Sequence, residues 1–145
     1  MRRTSDRSHP ERGSSAVELV IVVPVVLLIF GAIALGGRIA LAELAVGSAA
    51  SEAARSASIA RTQSDAATRA REGARASLAN QDVDCLTQSV EVDTSEFARP
   101  VGTPATMSVT VTCEVNLAGL ALPGIPARKT ITQTATSPLD TYRER

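Results

Sequence analysis

Residues 19–37, LVIVVPVVLLIFGAIALGG, run from Leu19 to Gly37 without a charge and are bracketed by Glu18 and Arg38. As a helix this stretch extends roughly 28 Å at ~1.5 Å per residue, close to the ~30 Å hydrocarbon thickness of a bilayer. A surface helix of a soluble domain keeps a polar face, and none is present here. The stretch therefore reads as a transmembrane helix, and it organises the rest of the chain around itself. Pro24 falls inside it, removes one backbone hydrogen bond and predicts a kink.

The flanking charges give an orientation. Arg2, Arg3, Arg7 and Arg12 precede the span against Asp6 and Glu11, whereas Arg38 is followed by Glu43 and Glu52, with Arg55 further on. The excess of basic residues on the cytoplasmic side of membrane spans predicts a cytoplasmic N-terminus and an extracytoplasmic C-terminal region. Both cysteines, Cys85 and Cys113, lie in that later region, where an oxidising compartment favours a disulfide over two free thiols. A secretory signal peptide competes with this reading. Its apolar core is shorter, however, and the small-x-small site available here, Ala40-Leu41-Ala42, follows Arg38. Retention of the span is the expectation, with release near Ala42 as an alternative.

A chain of 145 residues holds one domain, and the leader and span leave about a hundred residues for it. Two Phe, one Tyr and no Trp mean that Ala and Val must supply the core. Such a core is thin and draws support from a membrane, a disulfide or neighbouring subunits. Zero net charge and the absence of aromatic residues among the arginines argue against a nucleic-acid partner. The sole His, His9, precedes the span, so neither a Ser/His/Asp nor a Cys/His arrangement can form beyond it. Two cysteines without a histidine do not close a zinc site, and no phosphate loop or dinucleotide fingerprint is present. Asp82, Asp84, Glu91 and Asp93 read as solvated carboxylates. The chain is expected to be no enzyme, with no catalytic residue, metal or cofactor.

After the span, residues 39–81 contain no Pro and are rich in Ala, Glu, Gln and Arg, a composition that favours helix. Ala42, Ala45, Ala49, Ala53, Ala57, Ala60, Ala67, Ala70 and Ala74 form a small-residue stripe that lets another backbone approach, either the sheet or a neighbouring helix. A partly ordered stalk is the alternative. Gly47 and Gly73 are the expected breaks, Asp65 and Arg69 are spaced as an i,i+4 pair, and Arg55, Arg61, Arg69, Arg71 and Arg75 read as a solvated face. From Val83 the period becomes two. Met107, Val109, Val111, Cys113, Val115 and Leu117 alternate with polar residues, giving a half-buried strand. Leu86 to Asp93 and Arg128 to Ser137 give two more, with a turn at Pro100, Gly102 and Pro104 between the first pair. A three-stranded antiparallel meander is the economical topology.

The cysteines constrain its register. With Cys85 directly opposite Cys113, Glu91 would face Met107, whereas matching the apolar faces needs an odd sum of paired numbers, such as Val90 opposite Val109. Cys85 therefore either precedes the regular strand or sits beside a bulge. The uncharged run LAGLALPGIP, 117–126, is expected to cover the sheet, with the bilayer surface or a partner as alternatives, and PLDTYRER reads as a frayed end. The fold class is α+β: a single N-terminal transmembrane helix extended outward, then a small antiparallel sheet with one disulfide. The chain divides into a basic cytoplasmic leader 1–13, the transmembrane helix 14–38, an Ala-rich helical stalk 39–81 and a disulfide-linked β domain 82–145.

Ahead of the span stands Gly13-Ser14-Ser15-Ala16-Val17-Glu18. A Gly closing a short basic leader with Glu five residues later resembles the prepilin peptidase recognition pattern. The longer stretch ERGSSAVELVIVVPVVLL resembles the start of TadE-like proteins, pseudopilins of tight-adherence (Flp-type) pilus systems. The resemblance extends through AASEAARSA, the spaced cysteines and the strand ITQTATSPLDTYR, and it implies a pilin-like architecture. It further implies cleavage between Gly13 and Ser14 and pairing of Glu18 with the new Ser14 ammonium of a neighbour, which relieves a carboxylate at the edge of hydrocarbon. The partners it implies are the prepilin peptidase, other pilins or pseudopilins through the span, a pilus assembly platform and membrane lipid. Ser15-x-x-Glu18 also fits a helix capping box, in which both groups serve only the helix start. Glu18 is followed by Leu19, where the shorter major Flp pilins carry Glu-Tyr, so the resemblance points to a minor component. The function expected is that of a minor pseudopilin-like component of a tight-adherence pilus or related secretion machine. A plain single-pass anchor displaying a small binding domain is the other alternative beside the released protein.

Overall fold

The computed structural model describes residues 14–100, 102–120 and 126–139, without the side chains of 14–17 and 120. Helix α1 spans Ser14–Ser58 and helix α2 spans Gln63–Asn80. A three-stranded antiparallel meander follows in the order β1-β2-β3, with β1 Cys85–Asp93, β2 Thr106–Asn116 and β3 Arg128–Pro138. The α+β class expected from the sequence is therefore observed: a long N-terminal apolar helix and a small disulfide-linked sheet.

The apolar stretch and the first part of the Ala-rich region form one helix, whose 45 residues reach roughly 68 Å at ~1.5 Å each. Pro24 lies within it. The helix does not continue to residue 81, however, and it does not break at a glycine. It ends at Ser58, the chain turns through 59–62, and α2 folds back along α1. Gly47 and Gly73 are both helical. The break belongs instead to Thr62, whose backbone is extended and whose Oγ1 accepts a hydrogen bond from the Asp65 amide at 3.1 Å. This N-cap satisfies an amide that the first helical turn would otherwise leave without a partner. The Asp65–Arg69 pair forms at 2.9 Å on the exposed face.

Alanine makes the hairpin possible. On α1, Ala42, Ala45, Ala49, Ala50, Ala53, Ala54 and Ala57 are buried, and on α2 Ala66, Ala70, Ala74 and Leu78 recur every fourth residue. Ala66, rather than the expected Ala67, carries the stripe; Ala67 is only half-buried. Small side chains bring the two axes close together. Gly73 faces α1, where a β-carbon would lie 3.0 Å from Ser56 Oγ. Arg55, Arg61, Arg69, Arg71 and Arg75 are all exposed, as the solvated-face reading requires.

Helix α2 ends in a left-handed cap. Asp82 takes φ 52°, its amide donates to the Ala79 carbonyl at 3.2 Å, and the Val83 amide donates to Leu78 at 3.2 Å. These bonds satisfy carbonyls at the helix end and turn the chain into β1. The sheet then packs one face on the helix pair. Met107, Val109, Val111, Cys113, Val115 and Leu117 are buried on that face together with Ile131. On the other face the Thr110 and Thr134 hydroxyls meet at 2.9 Å, and those of Thr112 and Thr132 at 3.2 Å. The Ser137 hydroxyl donates to Ser58 Oγ at 3.1 Å, joining the end of β3 to the end of α1.

The register has the odd sum that matching faces demand, but β1 is displaced by two residues from the example given above: Val90 faces Val111 and Val92 faces Val109. The β1–β2 connection contains an additional short 3-10 turn, Ser95–Ala98, which buries Phe97. Pro138 belongs to β3, and Leu139 is buried, with its amide bonded to Ala105 O at 2.9 Å. The start of PLDTYRER is thus part of the core rather than frayed; residues 140–145 lie outside the described residues. Of the run 117–126, Leu117 is buried in the core, whereas Ala118 and Gly119 are exposed. Residues 121–125 lie outside the described residues.

Candidate functional site

The N-terminal part of α1 carries twelve large apolar side chains, from Leu19 to Ile33, all of them exposed. A solvated monomer does not sustain an apolar belt of this extent, and patches far smaller already mark contacts with lipid or protein. Among the described residues nothing covers them. The helix is long and apolar enough to cross a membrane, and its exposure separates it from a buried core helix of similar composition. Glu18 stands at the start of this belt, exposed, and among the described residues it forms no ion pair. Gly13 and the side chains of Ser14 and Ser15 lie outside the described part of the structure, so the geometry of both the processing motif and the capping box falls there too.

Some sixty-seven residues later in the sequence than Glu18, the second feature expected from the sequence is in place. Cys85 and Cys113 form a disulfide with a Cα–Cα distance of 5.4 Å. The ladder is irregular between Cys85 and Thr87, so Cys85 stands opposite Val115 while Thr87 stands opposite Glu114. Leu86 is the extra residue of a β-bulge. Without it the alternation of the strand would turn Cys85 to the outer face; with it the sulfur reaches Cys113 beneath the sheet. Of the two arrangements that the register conflict left open, Cys85 ahead of the regular strand or a bulge beside it, the structure has the second.

Asp93 Oδ1 accepts the Ser95 amide at 2.9 Å, and this bond, with that of the Ser95 side chain, lowers the Asp93 pKa below its ordinary value. Among the described residues no group of three or more His, Cys, Asp or Glu side chains is arranged to hold a metal ion.

The fold and its exposed helix define an α+β protein with one N-terminal helix capable of crossing a membrane and a disulfide-bonded sheet docked on the same helix. The family model described as TadE-like protein matches residues 13–55 of the chain. The match begins at Gly13 and ends near the C-terminus of α1, so it covers the entrance motif, the apolar belt and the Ala-rich continuation, and leaves the sheet outside it. Comparison with curated proteins and with solved structures returns no match.

Proposed function

We propose that this protein is a minor pseudopilin-like component of a tight-adherence pilus or a related secretion machine, anchored by α1 in the bacterial cell membrane with its N-terminus cytoplasmic and its sheet domain extracytoplasmic. The observation that carries this reading is the coincidence of the TadE-like match, residues 13–55, with a helix whose apolar side chains are exposed from Leu19 onward. Prepilin peptidase cuts between Gly13 and Ser14, where a glycine leaves the backbone accessible to the protease. Glu18 then stands near the hydrocarbon edge, where pairing with the Ser14 ammonium of a neighbouring pilin or pseudopilin removes the cost of an isolated carboxylate and sets the stagger between subunits. The assembly platform receives the processed helix. The role is structural, and no catalytic residue, cofactor or nucleic-acid partner is assigned.

The disulfide supports the extracytoplasmic position of the sheet, since such bonds persist in oxidising compartments. Release near Ala42 fits the fold poorly. Leu35 and Ile39 pack with the core of the sheet domain, and a cut at Ala42 strips both from it. N-terminal sequencing of the membrane-extracted protein, made with and without a prepilin peptidase, tests the reading. Ser14 as the first residue only when the peptidase is present is the expected result. Retention of Met1 to Gly13 under both conditions identifies a plain single-pass anchor instead, and a first residue beyond Ala42 identifies a released protein.

A further inference from the structure

The lower end of the sheet domain is built around the point where α1 acquires its first charge. Arg38, Leu41 and Ala42 of α1, the α2–β1 turn from Gln81 to Leu86, the end of β2 and Gly119 line one open cleft of about 650 Å³. The domain reaches below Arg38. Leu35 is only 6% exposed and belongs to the core, whereas Ile33 is 66% exposed and Ala34 and Gly36 are open. Leu35 is part of the uncharged stretch, about 4.5 Å from Arg38 along the axis at ~1.5 Å per residue. If the uncharged stretch fills the hydrocarbon, the base of the domain is held within the headgroup layer.

The chemistry of the cleft matches that depth. Leu41 and Leu86 beside it are 68% and 48% exposed, apolar groups at the level of the glycerol backbone. Arg38, Asp82 and Asp84 line the cleft, and among the described residues none of their side chains forms an ion pair or hydrogen bond. Asp82 holds its place with φ 52°, a left-handed position at a helix C-terminus usually given to glycine. One guanidinium suited to a phosphate and two carboxylates suited to an ammonium face the same space.

We propose that this cleft binds the head of a phospholipid that carries an ammonium group beside its phosphate. Arg38 receives the phosphate, Asp82 and Asp84 receive the ammonium, and Leu41 and Leu86 rest on the glycerol region. A head carrying phosphate and hydroxyls alone meets Arg38 but leaves the two carboxylates without a cation. The inference rests on the membrane-spanning reading of α1, and its tests separate the two.

The chain contains no Trp, so single tryptophan substitutions report depth in the full chain reconstituted into vesicles of phospholipids brominated at shallow or deep acyl positions. L28W is expected to be quenched from the deep position, L86W from the shallow one, and T103W, at the opposite end of the sheet, from neither. An unquenched L28W overturns the span and the docking together; a quenched L28W with an unquenched L86W overturns the docking alone. Native mass spectrometry with an equal mixture of ethanolamine-headed and glycerol-headed phospholipids tests the ligand. Wild type is expected to retain the ethanolamine-headed lipid by about fivefold over the other, the weight of one charge near a membrane surface. R38Q is expected to lose both lipids, and D82N/D84N to lose only the preference. Equal retention by the wild type, or unchanged retention by R38Q, overturns the assignment.

Discussion

Cys85 stands opposite Val115 across the β1–β2 ladder yet is bonded to Cys113, two residues back along β2. The diagonal bond and the bulge at Leu86 pin the register of β1, which carries only Val90 and Val92 as half-buried apolar residues along its regular part. A register slip of one residue would expose both. The bridge spans a sequence separation of 28, and its removal in C85A/C113A is expected to cost roughly 3 to 4 kcal/mol by loop entropy. Urea unfolding in detergent micelles measures this. An unchanged midpoint in the double variant would show that the bridge does not constrain the unfolded chain.

The contact between α1 and α2 depends on the size of Ala70, which is fully buried. A70L forces the axes apart and is expected to destabilise by about 1 to 3 kcal/mol. The same change at exposed Ala76 is expected to stay within about 0.5 kcal/mol of wild type. Thermal unfolding of the two variants side by side makes the comparison, and equal losses would contradict close packing at position 70.

Thr62 caps α2 through its bond to the Asp65 amide at 3.1 Å. T62A leaves that amide to water and is expected to cost about 1 kcal/mol, whereas T62S retains the bond. Amide hydrogen exchange over Asp65 to Arg69 should accelerate in T62A and not in T62S; equal protection in both would remove the cap from the account.

Asp93 accepts the Ser95 amide and holds its pKa below the ordinary 3.8. A carboxylate depressed in the folded state stabilises the fold above its unfolded pKa, ~3.9, and that contribution is lost as pH falls through the folded value. A chemical-shift titration of the Asp93 carboxyl is expected to give a midpoint under 3.8. D93N should flatten the corresponding part of the stability profile in acid; a wild-type midpoint at or above the ordinary value contradicts the bond.

The sheet was legible because its signals are local. Strict alternation from Met107 to Leu117 put the buried face on the page, and the conflict between Cys85 and the matching faces required either a bulge or an early cysteine. The helical hairpin was not legible from composition, since Ile59-Ala60-Arg61-Thr62 contains neither Pro nor Gly. The useful signal was Thr62-Gln63-Ser64-Asp65, a cap pattern of Ser or Thr followed three residues later by an acid. Gly73 misled in the other direction. A glycine in a helical pattern suggests a break, but this one lies within the helix, where a β-carbon would come 3.0 Å from Ser56 Oγ. Phe97 escaped as a single buried residue within a connection and Leu139 as one just past the end of β3, where no period exists to reveal either. The reading of Gly13 to Glu18 as a processing motif rests on family resemblance alone, since periodicity carries no information about cleavage.

From Val25 to Ser58 no proline interrupts α1, and its second half is the floor on which β2 and β3 lie. The exposed apolar segment and the floor of the sheet are therefore parts of one continuous helix. A tilt imposed on the N-terminal half of this rod is carried into the domain, so whatever sets the angle of the apolar half also sets the direction in which the outer face of the sheet looks.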